Sequence, residues 1–171
     1  FQSDRYDLKL GRFWDAAAEA GAGIGLMEWH ITWPPDQRPG FGVPAWLARG
    51  FETIPTSASF LKRLERAGKT GHSFLSIGMF NDLMSALAVS SSATVWKNLW
   101  DGLGIVRHLG SRDDVYWRVK LIQARLQADL YFELMARELP GLSALILYPV
   151  DSLGHAYWRW HEPDMFEQVD A

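Results

Sequence analysis

The chain has 171 residues and a formal net charge of -3, so it is long enough for one domain with a substantial core. The acidic balance gives no basic footprint for a nucleic-acid polymer, and no apolar run approaches the ~20 residues of a membrane span. Because the sequence has no cysteine, disulfides and thiolate metal sites are excluded, and any metal must bind oxygen and imidazole ligands.

The first predicted elements are a helix, a glycine stop and a buried strand. Residues 9–20 are good helix formers with apolar side chains on one face, and Gly21 and Gly23 end that helix. Residues 24–29 (IGLMEW) then form a short, mostly apolar run, followed by a loop rich in proline and glycine. This succession is typical of α/β folds with parallel strands.

Residues 44–139 are predicted to be a mostly helical insertion. Several segments separated by glycine, serine or proline have helical patterns, and the last is an amphipathic helix of roughly 25 residues, which is long for a globular protein. Lysine and arginine are scattered, as in Lys62-Arg63 and Arg118-Lys120, and we expect these side chains on solvated helix faces.

A second buried strand is predicted after the insertion. Residues 142–150 (LSALILYPV) are a continuous apolar run, which is typical of a strand buried on both faces. The predicted architecture is therefore α/β. Residues 1–43 and 140–171 contribute parts of one core with parallel strands, and residues 44–139 form a largely helical cap.

Asp151 follows the second predicted strand, and His155 comes four residues later. Ligands of open α/β sheets gather at the carboxyl ends of strands, and residues four apart on a helix share one face, about 5–6 Å apart between Cβ atoms. An acid and an imidazole at this separation can bind one divalent cation, and Gly154 keeps bulk away from the ion. The alternative is that Asp151 caps the following helix and His155 is a surface residue.

Two stretches carry a family resemblance. Residues 150–163 (VDSLGHAYWRWHEP) resemble the D-x-x-G-H-x-x-W-x-x-x-x-P stretch of the type I phosphodiesterase/nucleotide pyrophosphatase family, within the alkaline phosphatase superfamily. Residues 23–35 (GIGLMEWHITWPP) are similar to that family's strand followed by a T-W-P loop, matched by Thr32-Trp33-Pro34. The two matches come in the family's order and flank a helical insertion. They imply an alkaline-phosphatase-like parallel sheet with a cap.

The resemblance implies a phosphoric ester hydrolase in which two cations, usually zinc, bracket the phosphate while a threonine or serine attacks in line. Asp151 and His155 match two ligands of one metal. For the substrate, a small phosphate ester, the candidate binding residues are His30, Trp33 and Trp158, and packing is the alternative role for each.

The catalytic nucleophile and the remaining metal ligands of that family have no counterpart in this sequence. The chain starts with neither a methionine nor an apolar leader segment, and we therefore expect an internal segment of a longer enzyme, with no compartment indicated. His161 lies in the variable part of the motif and is expected to be a surface or cleft residue.

Two other functions are left open by the sequence. A metal-dependent phosphomutase of the same superfamily shares the D-x-x-G-H core, although the W-x-x-x-x-P extension favours the phosphodiesterases. A non-catalytic helical binding module is the second alternative, with Asp151 as a helix cap and the tryptophans as a packing or docking surface. Metal content separates the binding module from both enzymes.

Overall fold

The computed structural model describes residues 11–35, 37–45, 48, 50, 52–63, 77–107 and 112–165. Its helices are α1 (Phe13–Glu19), α2 (Ile77–Val89), α3 (Ser92–Arg107), α4 (Arg112–Glu138) and α5 (Tyr148–His161). Its strands are β1 (Ile24–Met27), β2 (Gly40–Val43) and β3 (Leu142–Leu145). Short 3-10 turns occur at Thr56–Ala58 and Pro163–Met165, and residues 59–63 are helical. The chain divides into two compact units, residues 1–91 with 126–146 and residues 92–125 with 147–171.

The first unit contains a parallel sheet in the order β2–β1–β3. Ile24 of β1 lies opposite Gly40 of β2 and opposite Leu142 of β3, and both pairings are parallel. The predicted parallel arrangement of the two apolar runs is therefore confirmed, and the two strands are direct neighbours. The mixed α/β class is confirmed with them.

Both predicted strands are shorter than expected. β1 ends at Met27 because Glu28 adopts a left-handed backbone conformation, with φ 58°. β3 ends at Leu145 because α5 begins at Tyr148, with Pro149 in its first turn. Proline is well placed there, since its missing N–H is one that a helix start leaves without an intrahelical partner. The prediction of a strand reaching residue 150 is thus wrong.

β2 was not predicted, because its sequence GFGV lies within the loop rich in proline and glycine. The strand exists through its pairing with β1, and Gly42 also forms an antiparallel bridge with Ile54. Gly25 of β1 lies opposite Phe41 of β2. A Cβ on Gly25 would lie 2.5 Å from Cε1 of Phe41 and 2.9 Å from Cγ of Pro140, so the close packing at this position requires glycine.

The two faces of β1 are buried in different apolar clusters, since successive side chains of a strand point to opposite faces. Ile24 and Leu26 pack with Trp14 of α1. Met27 packs in a second cluster with β2, α2 and α4. The other buried members of that cluster are Phe41, Val43, Ala58, Phe60, Leu61, Ala86, Leu130 and Leu134. Burial on both faces explains why the strand sequence is continuously apolar.

The predicted glycine stop of α1 is confirmed. Gly21 has φ 85° and its N–H donates to the carbonyl of Ala18 at 2.9 Å. The N–H of Ala22 donates to the carbonyl of Ala17 at 3.0 Å. These two bonds form a Schellman motif, in which a residue without Cβ takes the left-handed position.

The described part of the second unit has a polar interior between α3 and α4. Asp101 of α3 accepts hydrogen bonds from Arg118 at 3.0 Å and from Arg125 at 2.6 Å. Arg125 also donates to Asn98 at 3.2 Å. The expectation of solvated basic side chains is therefore wrong for Arg118, and it is also wrong for Lys62 of the first unit, which is buried.

The two units divide the chain differently from the predicted core and cap. The first unit combines the sheet with α2 and the C-terminal part of α4, both of which lie within the predicted cap range 44–139. The described residues of that range are mainly helical, and other parts of it, including residues 64–76, lie outside the described residues. A cap over an active site stays a prediction.

Candidate metal site

Asp151 and His155 both lie on α5. Asp151 occupies the first turn of the helix, and the N-cap residue is Leu147. The alternative in which Asp151 is the N-cap of this helix is therefore wrong. Its negative charge is still favourable there, because the first turn carries the positive end of the helix dipole.

The predicted common face of the pair is confirmed. Oδ1 of Asp151 lies 3.5 Å from Nε2 of His155, and the two side chains are 63 % and 82 % exposed. Both donor atoms are therefore open to solvent on one side of α5. The distance also permits a direct ion pair when the imidazole is protonated, so the geometry fits either an ion pair or a shared metal ion.

The donor separation fits zinc. Tetrahedral coordination with bond lengths of about 2.0–2.2 Å places two ligand atoms about 3.3–3.6 Å apart, which includes the observed distance. A carboxylate oxygen and an imidazole nitrogen are also ligands that zinc accepts. Within the described residues, no group of three or more His, Cys, Asp or Glu side chains is arranged to hold a metal ion. The pair thus supplies two ligands.

Gly154 stands beside the pair and has open space around it. A Cβ added to Gly154 meets no other described atom within 4 Å. Protein packing in the described region therefore does not require glycine at this position. The hypothesis that Gly154 leaves room for an ion stays a prediction, and only the presence of a bound ion would give glycine an advantage over alanine here.

His30 and Trp33 belong to the loop that follows β1. This loop is held by hydrogen bonds: Oγ1 of Thr32 donates to the carbonyl of Trp29 at 2.7 Å, and Nε1 of Trp33 donates to Oε2 of Glu52 at 2.6 Å. Its first residues include a left-handed Ile31, with φ 57°. His30 is exposed and Trp33 is half-buried. The indole N–H of Trp33 thus stabilises the loop, and a role for either residue in substrate binding stays a prediction.

Trp158 and His161 lie near the C-terminal end of α5. The ring of Trp158 is about half exposed and its centroid is 5.3 Å from that of His161. His161 therefore contacts an aromatic ring, in keeping with a surface position. Trp158 belongs to the second unit, whereas His30 and Trp33 belong to the first. A role for Trp158 in substrate binding stays a prediction.

Sequence reasoning missed a buried ion pair at the carboxyl end of β1. Nζ of Lys62 lies 2.8 Å from Oε1 of Glu28, and both side chains are buried. One signal was available for Glu28, since it is the charged residue near the end of the apolar run 24–29, where α/β sheets place functional groups. Nothing in the local sequence of Lys62 indicated that a residue 34 positions away would bury it.

No family model, curated protein or solved structure matches the chain. Within the described residues, no helix combines the length and the apolar character needed to cross a membrane.

Proposed function

We propose that this chain is part of a divalent-metal-dependent phosphoric ester hydrolase of the phosphodiesterase type, in which Asp151 and His155 hold one of two zinc ions. The observation that carries the proposal is the 3.5 Å separation of Asp151 Oδ1 and His155 Nε2 on one exposed face of α5. The motif in which both residues stand, D-x-x-G-H-x-x-W-x-x-x-x-P, adds the substrate class. An alkaline-phosphatase-like sheet, of which β1 and β3 are parallel members, belongs to the same proposal.

The bound zinc ions would supply charge neutralisation at the phosphate and at the attacking hydroxyl. Asp151 contributes a negative charge and an oxygen ligand. His155 contributes a neutral imidazole, which requires that its Nε2 carries no proton when the metal is bound.

Zinc binding to the chain tests the pair directly. Two ligands bind zinc weakly, since stable sites take three or four. We expect the unmodified chain to bind zinc measurably in a calorimetric titration, and Asp151→Asn and His155→Ala to weaken binding at least about tenfold each. His161→Ala is the matched control, because it removes an imidazole from the same helix. The zinc affinity of this variant should equal that of the unmodified chain. Equal affinities in all four proteins would refute the metal site.

Hydrolysis of a nitrophenyl phosphodiester tests the activity. In the complete enzyme that the motif implies, His155→Ala should lower turnover by several orders of magnitude under saturating zinc, and His161→Ala much less. The 171-residue chain alone should not turn over the substrate, because its described residues supply two ligands and no assigned nucleophile. Full activity of the His155→Ala enzyme, or robust turnover by the isolated chain, would end the proposal.

The same experiments separate the alternatives. A phosphomutase would bind zinc at the same pair but would move a phosphoryl group within its substrate instead of releasing it to water. A non-catalytic binding module would show neither zinc dependence nor turnover. The phosphodiesterase proposal therefore requires both zinc binding at Asp151 and His155 and release of nitrophenol.

A further inference from the structure

The inward side of α3 is polar. With 3.6 residues per turn, Thr94, Asn98 and Asp101 fall on one side of this helix, and Thr94 and Asp101 are buried. Asn98 and Asp101 accept hydrogen bonds from Arg125 of α4. α3 is thus held to its neighbour by charged and polar groups, whereas a helix packed on a protein core normally turns its apolar side inward.

The opposite side of α3 is apolar and faces solvent. Trp96 and Trp100 are 72 % and 74 % exposed, and Leu99 and Leu103 are more than half exposed. Their spacing of three, four and seven residues places them in one continuous row, which we call the tryptophan stripe. Single exposed apolar residues are ordinary on protein surfaces, but a contiguous row of large ones marks a surface that contacts another apolar phase.

The charged residues of α3 beside the tryptophan stripe are basic. Lys97 flanks the stripe and Arg107 lies at its C-terminal end, and both are exposed. The one acidic residue of α3, Asp101, is bound on the inward side by Arg118 and Arg125. Tryptophan and leucine on the outer side of a helix, with lysine and arginine next to them, form the pattern of helices that lie in the headgroup region of bilayers containing anionic lipids.

A second copy of the chain fits this surface less well. The four side chains of the stripe expose roughly 500 Å², whereas a stable protein interface buries about 800 Å² on each partner. A lipid surface has no such minimum area, and its phosphates complement Lys97 and Arg107.

We propose that α3 docks the protein onto an anionic phospholipid surface through the tryptophan stripe. Trp96 and Trp100 enter the boundary between headgroups and acyl chains, and Lys97 and Arg107 contact lipid phosphates. The bonds of Asp101 to Arg118 and Arg125 fix the rotation of α3 about its own axis, so the stripe is presented outward before any lipid is met. This docking is independent of the proposed hydrolase activity.

Vesicle binding tests the proposal. The full chain is mixed with vesicles of phosphatidylcholine and phosphatidylserine and, separately, with vesicles of phosphatidylcholine alone. Binding is measured by co-sedimentation and by the blue shift of tryptophan emission. We expect the chain to bind vesicles that contain phosphatidylserine at least about tenfold more strongly than vesicles of phosphatidylcholine alone. Each basic residue near the surface adds to the attraction to the anionic lipid.

Variants identify the surface that binds. The double variant Trp96→Ser/Trp100→Ser should lose binding by at least about tenfold, because the two indoles supply most of the apolar area. Phe132→Ser is the matched control, since Phe132 is an aromatic residue of α4 that is 66 % exposed. This variant should bind vesicles as strongly as the unmodified chain. Lys97→Glu/Arg107→Glu should reduce binding to the level seen with phosphatidylcholine alone. All the replaced side chains are exposed, so the circular dichroism and urea midpoints should match the unmodified chain.

Three outcomes would overturn the proposal. The first is that the unmodified chain does not bind serine-containing vesicles, or binds both vesicles equally. The second is that Trp96→Ser/Trp100→Ser binds as well as the unmodified chain. The third is a dimer in the absence of lipid that the same double variant abolishes, since this result would assign the tryptophan stripe to a second copy of the chain.

Discussion

Nζ of Lys62 lies 2.8 Å from Oε1 of Glu28, and the two side chains are 5 % and 0 % exposed. This ion pair connects the carboxyl end of β1 to the helical residues 59–63. Removing water from two charges is costly, and their attraction compensates only while both are present. The pair therefore ties the position of the first loop after β1 to the helix that follows the 3-10 turn.

Lys62→Met should lower the free energy of unfolding by about 3–5 kcal/mol, because Glu28 keeps a buried negative charge without this ammonium group. The double variant Glu28→Gln/Lys62→Met should lose much less, since it removes both charges of the ion pair. Urea denaturation measures both values. Lys97→Met, at an exposed lysine, is the control and should change stability by no more than about 0.5 kcal/mol. Equal losses in the single and double variants would show that the charge pairing is not what stabilises this region.

Asp15 should make the stability of the first unit depend on acid pH. Hydrogen bonds from Arg12, at 2.7 Å from Nε and 2.8 Å from Nη2, and the contact with Arg38 at 2.7 Å hold the pKa of Asp15 well below its usual range. Because the folded pKa is lower than the unfolded one, the stabilisation is complete above about pH 4 and is lost as the pH falls toward the folded value.

Asp15→Asn should accordingly lower the free energy of unfolding by about 1–2 kcal/mol at neutral pH, and the difference should shrink in increasingly acidic buffer. Urea midpoints measured across the acid range give the comparison. Asp164→Asn, at an exposed acid in the 3-10 turn Pro163–Met165, serves as the control. A constant difference between Asp15→Asn and the unmodified chain down to strongly acidic pH would contradict the assigned hydrogen bonds.

Asp101 should matter more for stability than an ordinary acidic helix residue. Asp101→Ala leaves Arg118 and Arg125 side by side without their shared carboxylate, and the expected cost is about 2–4 kcal/mol. Asp129→Ala removes a carboxylate from α4 that accepts a hydrogen bond from the backbone N–H of Ser91 at 2.9 Å, and it should cost about 1 kcal/mol. Hydrogen exchange of the α3 amides, compared in the two variants, locates the effect. Similar exchange in both would argue against the role of Asp101 in fixing α3.

Gly154 and Gly104 provide a matched pair of helix glycines in the second unit. Gly154→Ala should raise the stability of α5 by about 0.5–1 kcal/mol, since alanine favours helix and the new Cβ meets open space. Gly104→Ala should gain less, because its Cβ would lie 2.5 Å from Cζ of Arg118 and the guanidinium bound to Asp101 would have to shift. Thermal unfolding of the two variants measures the difference. If Gly154 leaves room for an ion, Gly154→Ala should also weaken zinc binding while the fold becomes more stable.

The elements that the sequence predicted correctly are those decided by local patterns. The glycine stop at Gly21 and the length of α4, 27 residues against roughly 25 expected, follow from conformational freedom and apolar periodicity. The shared face of Asp151 and His155 follows from helix geometry alone. These features need no knowledge of distant partners.

The features that were missed depend on partners far along the chain. β2 becomes a strand because β1 offers it an edge, and Lys62 is buried because Glu28 lies 34 residues before it. The polar inward side of α3 likewise depends on a distant partner, since Arg125 of α4 binds Asp101 there. For the candidate site, the spacing of Asp151 and His155 predicts their common face, which the structure shows, and a metal centre at this pair stays a proposal.

The placement of β1 between β2 and β3 has a kinetic consequence. Ile24 pairs with Gly40, which follows soon after it in the chain, and with Leu142, which is synthesised much later. As the chain leaves the ribosome, one edge of this apolar strand stays open while α2, α3 and α4 are synthesised. Such long-range pairing slows folding and exposes a strand edge to other nascent chains. The yield of folded protein should therefore depend on chaperone capacity and on the rate of translation more than the modest length of the chain implies.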